Sequence, residues 1–199
     1  MPHPYILPNY PPRSWIRTET REIRRPVRIV YVGSLGMESM YLREFAEWVI
    51  GQQGKVIWDI YALHLSADIK DYLLGVYPAL IRFKGACYYY DLPSLLPEYD
   101  IGVVLYKGIM PNHIYAVSNK VFEYAACGLD TWYAQEMVGT HPYDTPPDIY
   151  PRILRVDFSA SGGPDLESVL DRTGLEFRPS SYFCEEALVP LMEKIRELK

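Results

Sequence analysis

The chain has 199 residues, of which 49% are hydrophobic, and a formal net charge of −5. This composition excludes an intrinsically disordered chain, and the length is sufficient for one α/β domain with its own core. No apolar run reaches the roughly 18–20 residues of a membrane span, and the start Met1-Pro2-His3-Pro4 lacks the pattern of a secretion signal. We therefore expect a soluble, cytoplasmic protein.

The charge is unevenly distributed along the chain. Residues 1–28 hold six arginines and two glutamates, a net charge of +4, which leaves −9 for the rest of a chain whose total is −5. The acidic body argues against a nucleic-acid partner. The basic segment has three interpretations: a solvated linker, a contact with a further domain, or a peripheral contact with an anionic membrane surface.

The cysteines and histidines show no spacing typical of a cross-link or a metal centre. Cys87, Cys127 and Cys184 lie far apart, and the four histidines are scattered. We therefore expect reduced thiols, with neither a disulfide framework nor a metal site.

Residues 1–27 are interpreted as an arm or linker, because prolines interrupt both helix and central strand. From residue 28, short β-branched or apolar runs alternate with segments of helical spacing. The expected strands are residues 28–32, 55–63, 79–83, 101–106, 129–134 and 153–158. The expected helices are residues 37–51, 67–76, 92–96, 119–127 and a terminal helix over 182–198. The tyrosine- and proline-rich stretch 141–151 is expected to be a surface crossover.

This alternation predicts an α/β fold, a Rossmann-like doubly wound parallel sheet of about six strands. We expect a single domain over residues 28–199, with the N-terminal linker arm over 1–27 and a C-terminal helix. Ligands of such sheets bind at the carboxyl ends of strands, beside helix N-termini. The relevant loops therefore follow Val32, Phe83 and Tyr106, and one leads into the helix at Asn119.

The segment 118–129 has a polar helix start, an apolar body and a glycine stop at Gly128. Ser118 or Asn119 can cap the helix, whose free N–H groups and dipole then form an anion site. Lys120 lies in the first turn, where its charge opposes the dipole unless an anion also binds. Glu123 lies on the same face and can accept hydrogen bonds from ribose hydroxyls. The alternative is a structural cap with a surface Lys–Glu pair.

The pattern Asn119-Lys120-x-x-Glu123-Tyr124-x-x-x-Gly128 resembles the donor-site helix of glycosyltransferases with two Rossmann-like domains, the GT-B type. Other segments resemble that family in the expected order. They are residues 6–11 (the interdomain link), 28–33 (first strand and glycine loop), 81–85 (the strand before the base-binding loop), and 92–97 with 99–102 (a short helix and its following strand). The resemblance covers about residues 5–135.

The resemblance implies the nucleotide-sugar-binding, C-terminal domain of a glycosyltransferase of polysaccharide or glycolipid synthesis. Glu123 would bind the ribose, and Ser118, Asn119 and Lys120 would lie against the diphosphate. The donor is a nucleoside-diphosphate sugar, no further cofactor or metal is implied, and an acceptor-binding domain is expected outside this chain. The resemblance names no catalytic residue.

Four more residues complete the expected site. Gly33 and Ser34 form the first glycine loop, Gly85 precedes the base-binding loop, and Tyr88 lies where an aromatic ring could stack on the nucleobase. The alternative for the tyrosines at 88–90 is packing against the body of the domain or the acceptor-binding domain. Trp132 and Tyr133 are expected in the core.

The loop after the strand at 101–106 is a further candidate. Lys107 and His113 lie in it, near the expected phosphates. The loop is long and contains Gly108 and Pro111, so that it is either a lid or a free surface loop.

Three positions depart from the family pattern. Ser34 stands where many relatives have an arginine, and no lysine follows before Lys55. Tyr115 stands where many relatives have an acidic residue that contacts the sugar. After Gly128 the chain continues Leu-Asp-Thr-Trp instead of proline and small apolar residues.

These departures favour an alternative function, a non-catalytic nucleotide-binding or scaffold module that retains the fold. A nucleotide-dependent oxidoreductase has less support. Gly33-Ser34-Leu35-Gly36 is not the GxGxxG pattern, and Asp59 lies inside the second strand instead of at its end.

Overall fold

A computed structural model describes residues 8–20, 22–76, 78–159 and 163–197. Its strands are β1 (Val27–Val32), β2 (Val56–Tyr61), β3 (Ile81–Gly85), β4 (Ile101–Val104), β5 (Asp130–Ala134), β6 (Ile149–Tyr150), β7 (Ile153–Val156) and β8 (Glu176–Phe177). The main sheet is parallel, with six strands in the order β3-β2-β1-β4-β5-β7, and β6 pairs with β8 in a second, two-stranded sheet.

The helices are α1 (Leu42–Gly51), α2 (Ala67–Val76), α3 (Leu92–Leu95), α4 (Pro111–Tyr115), α5 (Asn119–Ala126), α6 (Leu166–Leu170) and α7 (Cys184–Glu197). The chain builds outward from β1 to β3 and then returns to place β4 on the other side of β1. Right-handed crossovers therefore place the helices of the two halves on opposite faces of the sheet. The predicted doubly wound α/β fold is confirmed, and its topological switch point lies between β1 and β4.

Several boundaries differ from the sequence-based prediction. The helix expected over 37–51 begins only at Leu42, because residues 37–39 form a turn and Met40 forms an isolated bridge with Tyr106. The strand expected over 79–83 lies at Ile81–Gly85, since a turn occupies residues 78–80. The crossover expected over 141–151 contains β6, and α4 and α6 were not predicted at all. These elements have two to five residues, too few for a periodic signal.

An aromatic cluster fills the core on one face of the sheet. The Phe45 ring lies 5.3 Å from Trp48 and 4.8 Å from Trp58, and Trp48 lies 5.6 Å from Trp132. Trp132 and Tyr133 are fully buried, as expected. Rings of this size dominate the hydrophobic stabilisation of a core.

Close packing of α5 on the sheet depends on a glycine in β4. A Cβ atom on Gly102 would overlap the ring of Tyr124, which is fully buried. At the far end of that ring, the N–H of Val32 donates to Tyr124 Oη over 3.1 Å. Tyr124 therefore holds α5 against both β4 and the end of β1. Its ring leaves no room for a side chain at residue 102, which explains why that residue is glycine.

We expect Gly102→Ala to destabilise the fold by about 1–3 kcal/mol, the usual cost of overpacking a core. Gly75→Ala is the matched control, because a Cβ at Gly75 in α2 meets nothing within 4 Å. That change should stabilise the chain by about 0.5–1 kcal/mol, since alanine is the better helix former. Urea denaturation measures both. Equal free energies of unfolding for wild type and Gly102→Ala would contradict the steric argument.

Asp59 is a fully buried carboxylate in β2 with several donors around it. Arg82 Nε lies 2.6 Å and Arg82 Nη2 3.0 Å from its oxygens, Tyr99 Oη donates over 2.9 Å, and Arg28 Nη2 over 3.3 Å. Burial alone would raise the pKa of Asp59, but the bonds from Arg82, Tyr99 and Arg28 outweigh it and lower the pKa. Asp59 therefore holds β2 to β3 and is not available as a ribose-binding carboxylate, as expected from its place inside the strand.

Asp59→Asn should destabilise the fold at neutral pH by about 1.5–3 kcal/mol, because hydrogen bonds to a charged group are weakened while the partly exposed arginines regain water. The pKa of the folded state lies below the ordinary 3.8, so the carboxylate stabilises the fold above that value. The stabilisation is lost as the pH falls through the folded-state pKa. The difference in unfolding free energy between wild type and variant should therefore shrink below about pH 4.

The exposed Asp71 in α2 supplies the control, Asp71→Asn, which should change the free energy of unfolding by less than about 0.5 kcal/mol. If the difference in unfolding free energy between wild type and Asp59→Asn stayed constant down to about pH 2.5, the charge of Asp59 would not be what stabilises the fold.

The N-terminal arm packs against the body of the domain. Trp15 is buried, Arg17 N–H donates to the Ala126 carbonyl over 2.8 Å, and the Tyr10 ring lies 4.6 Å from Phe122. The solvated-linker interpretation is therefore wrong for residues 10–17. In the segment 6–11, which resembles the interdomain link of the family, residues 6 and 7 lie outside the described residues.

Most arginines of the basic segment face acidic groups of the chain itself. Arg13 lies 3.0 Å from Glu186, Arg24 3.5 Å from Glu98, and Arg25 2.7 Å from Glu167. Arg28 lies 3.3 Å from Asp59. The positive charge of this segment is therefore largely balanced within the molecule, although each exposed pair is individually weak.

Candidate functional site

The start of α5 lies at the carboxyl edge of the sheet, beside the end of β1. Ser118 has the extended backbone of an N-cap residue, with φ −70° and ψ 134°. Its side chain makes no capping hydrogen bond, so the expected side-chain cap is wrong. The first-turn N–H groups of a helix lack intrahelical partners. With no side-chain cap, those of α5 can bind an anion.

Lys120 lies directly across the glycine at the end of β1. A Cβ on Gly33 would come within 2.9 Å of Lys120 Cε and 3.0 Å of Nζ, and Gly33 has a φ of +130°. The structure thus brings Gly33 and Lys120 together, and only glycine fits there. Lys120 Nζ donates to Tyr106 Oη over 3.4 Å and lies 5.6 Å from the centre of the Tyr31 ring. The ammonium group is held among aromatic rings instead of beside a carboxylate.

An open polar cleft of about 380 Å³ begins at this point. Its lining residues come from the end of β4, from α4 and from the start of α5: Tyr106, Asn112, His113, Ala116, Val117, Ser118, Asn119 and Lys120. Three of the expected diphosphate-binding residues therefore line one cleft. The lining contains no aspartate or glutamate.

Glu123 lies one turn further along α5 and does not line this cleft. It is half-buried, and within residues 8–20, 22–76, 78–159 and 163–197 no group donates a hydrogen bond to its carboxylate. Burial raises the pKa of Glu123, and the charge of Lys120 opposes this shift in part. Burial also raises the pKa of Tyr89, and the Glu123 carboxylate adds to that shift. Glu123 thus lies between the helix start and the tyrosine loop.

The remaining expected residues occupy the same edge of the sheet but not the same cleft. Ser34 is exposed, and its carbonyl accepts from Tyr31 Oη over 2.6 Å. Gly85, with a φ of +82°, ends β3, and its carbonyl accepts from Ala62 N–H over 2.9 Å. Tyr88 follows it and is 80% exposed. Since β3 is two strands from β1, Gly85 lies about 10 Å along the sheet from Gly33.

The tyrosine loop is only partly packed. Tyr89 lies 4.8 Å from the ring of Trp15 in the arm, whereas Tyr88 and Tyr90 are 80% and 87% exposed. Tyr89 therefore packs against the arm, whereas Tyr88 and Tyr90 stand mostly in solvent. The exposed ring of Tyr88 remains a candidate for base stacking.

Lys107 does not face a phosphate site. Its Nζ lies 2.8 Å from Glu44 Oε1, and its N–H donates to the Ser39 carbonyl over 2.9 Å. The loop that carries it is not a free surface loop, because α4 packs against residues 138–143 and a Cβ on Gly139 would overlap the Tyr115 carbonyl. Tyr115 itself is 71% exposed.

Among the residues that the structure describes, no group of three or more His, Cys, Asp or Glu side chains could hold a metal ion. In the same part of the chain, no helix is both long and apolar enough to cross a membrane. Cys87, Cys127 and Cys184 are free cysteines.

Comparison with known proteins gives a match among solved structures. No protein-family model and no curated protein matches the chain. Among solved structures, it is similar to AviGT4, a glycosyltransferase involved in avilamycin A biosynthesis, with a TM-score of 0.61 and 12% identity. The chain has a glycosyltransferase-like fold. The match covers 97% of this chain and 58% of AviGT4, so the chain spans little more than half the length of that protein.

The raised pKa of Glu123 leads to a prediction about stability. A carboxyl group whose pKa is raised by folding stabilises the fold below its ordinary value of 4.5, and this contribution is lost as the pH rises through the folded-state pKa. Glu123→Gln stays neutral at every pH. We expect it to be more stable than wild type at pH 7, by about 0.5–1 kcal/mol, with no difference near pH 4.

Thermal and urea unfolding at both pH values measure this difference. Glu47→Gln, on the exposed face of α1, is the control and should leave stability unchanged at either pH. A wild type that proved more stable than Glu123→Gln at pH 7 would mean that the carboxylate has a structural partner.

Proposed function

We propose that this chain is the nucleotide-sugar-binding part of a glycosyltransferase. The observation that carries the proposal is the start of α5, where Lys120 crosses Gly33 beside an acid-free cleft at the carboxyl edge of the sheet. Doubly wound folds bind their ligands at this edge, and a bare helix N-terminus favours a phosphate. The glycosyltransferase-like fold supports the same function.

The chemistry assigned to this site is binding of the donor. The first-turn N–H groups of α5 and the ammonium group of Lys120 would neutralise the diphosphate, which becomes the leaving group when the sugar is transferred. The carboxylate of Glu123, to which no described residue donates a hydrogen bond, would accept hydrogen bonds from the ribose hydroxyls. Tyr88 would stack on the base, and Gly33, Ser34 and Gly85 would let the backbone approach the nucleotide closely.

Transfer itself needs an acceptor-binding domain, which we propose is supplied outside this chain. That domain would close the cleft against water and hold the acceptor, a growing polysaccharide or a glycolipid. Binding of the donor by this chain alone is expected to be weak, and transfer by this chain alone is not expected.

A non-catalytic nucleotide-binding or scaffold module is the second candidate. It is supported by the small number of positive charges near the cleft. Ser34 replaces an arginine, Lys107 is paired with Glu44, and Tyr115 stands exposed where an acidic group would contact the sugar. A scaffold would keep the fold of α5 without using its carboxylate.

Calorimetric titration with UDP and with GDP tests the proposal. We expect one of the two to bind the wild-type chain, and Glu123→Gln to weaken that binding about tenfold or more, the cost of losing a hydrogen bond to a charged group. Glu47→Gln should bind as wild type does. No heat with either nucleotide would refute the donor site. Binding that is unchanged in Glu123→Gln would favour the scaffold.

A further inference from the structure

His113 lies in α4 and is fixed on one wall of the cleft. Its ring stacks on Tyr106 with the centres 4.3 Å apart and the planes inclined by 13°. The backbone N–H of His113 donates to the Met110 carbonyl over 2.9 Å, and Pro111 begins the helix. The contact of Tyr115 with Gly139 holds the other end of α4 in place. The imidazole therefore has a defined position instead of moving with a loose loop.

The same tyrosine joins His113 to Lys120. Tyr106 stacks on the imidazole with its ring and accepts from Lys120 Nζ with its hydroxyl, over 3.4 Å. Both nitrogen-bearing side chains line the cleft together with Ser118 and Asn119. A group bound at the start of α5 would therefore have an imidazole, an ammonium group and helix N–H groups around it.

The hydrogen bonding of His113 differs from that of a structural histidine. His113 Nδ1 is shielded from solvent and has no hydrogen-bond partner within the described ranges. By contrast, His141 Nε2 lies 2.9 Å from the Gln135 carbonyl oxygen. Buried polar atoms are nearly always satisfied, so an unsatisfied one calls for an explanation. Because Nδ1 is shielded, a ligand in the cleft can meet only Nε2, which donates a hydrogen bond when it carries the proton.

The charge around the cleft favours an anion. The whole chain carries −5, yet no acidic residue lines this cleft. Lys107 and Ser34 supply no positive charge here, because Lys107 is paired with Glu44 and Ser34 is neutral. Lys120 is therefore the one lysine or arginine among the lining residues, and His113 is the only other side chain there that can become positively charged.

We propose that His113 is a diphosphate-binding residue, which donates a hydrogen bond to a phosphate oxygen of the ligand held by Lys120 and the start of α5. This inference rests on the proposed function, since it adds a residue to the same site. The shared contact with Tyr106 makes His113 and Lys120 two arms of one phosphate clamp, built from α4 and α5.

Inorganic pyrophosphate is the probe, because it contains the diphosphate without base or sugar. Long-range ¹H–¹⁵N spectra of the histidine side chains should show the His113 resonance, assigned by its loss in His113→Gln, moving as pyrophosphate is added. Calorimetry should show binding weakened about tenfold in His113→Gln, the loss expected for one hydrogen bond to a charged group. His113→Phe keeps a ring to stack on Tyr106 and should lose the same affinity.

The exposed His64 lies outside the cleft, and His64→Gln is the control, with wild-type affinity expected. The inference is overturned if wild type binds no pyrophosphate, if the His113 resonance does not move, or if His113→Phe binds as tightly as wild type. If UDP or GDP binds wild type and His113→Phe equally, only the role of His113 fails. If pyrophosphate binds through His113 and neither nucleotide binds more tightly, the proposed function fails and the anion site remains.

Discussion

Direct contact between a strand glycine and a helix tyrosine determines where the candidate site lies. Tyr124 occupies the space that a side chain on Gly102 would fill, and its hydroxyl accepts the N–H of Val32 at the end of β1. With α5 pressed against the sheet in this way, its first turn comes beside β1 and Lys120 crosses Gly33. Two glycines, one at mid-strand and one at a strand end, therefore permit one helix to present its N-terminus at the switch point.

Much of the fold could be predicted because its signals are local. The buried parallel strands are continuous apolar runs, and α5 has a polar start and a glycine stop. What could not be predicted depends on residues distant in sequence. The partner of Lys107 is Glu44 on α1, and α4 takes its place from a contact with Gly139. The Ser118 side chain shows the same limit, since a residue type predicts an N-cap position but not the rotamer that completes the hydrogen bond.

Two buried aspartates of the sheet, Asp59 and Asp130, have a structural role, and their partners can be compared with those of Glu123. Asp59 is held by Arg82 and Arg28, and Asp130 lies 2.9 Å from Arg152. Both of these buried carboxylates have guanidinium partners, which offset the cost of desolvation. Glu123 departs from this rule, because burial raises its pKa and no described group donates a hydrogen bond to it. This environment agrees with the proposed role of Glu123 in ligand binding.

Two features of α5 work against folding, and one ligand class would relieve both. Lys120 places a positive charge in the first turn, where the helix dipole is unfavourable to it, and the Glu123 carboxylate is half-buried with no hydrogen-bond donor among the described residues. An inorganic anion would relieve the first feature only, and a neutral sugar the second only. A nucleoside diphosphate joins an anion to a pair of hydroxyl donors at about the spacing of one helical turn, 5.4 Å. Local rules broken together at one helix start are typical of functional sites, which agrees with the proposed nucleotide-sugar site.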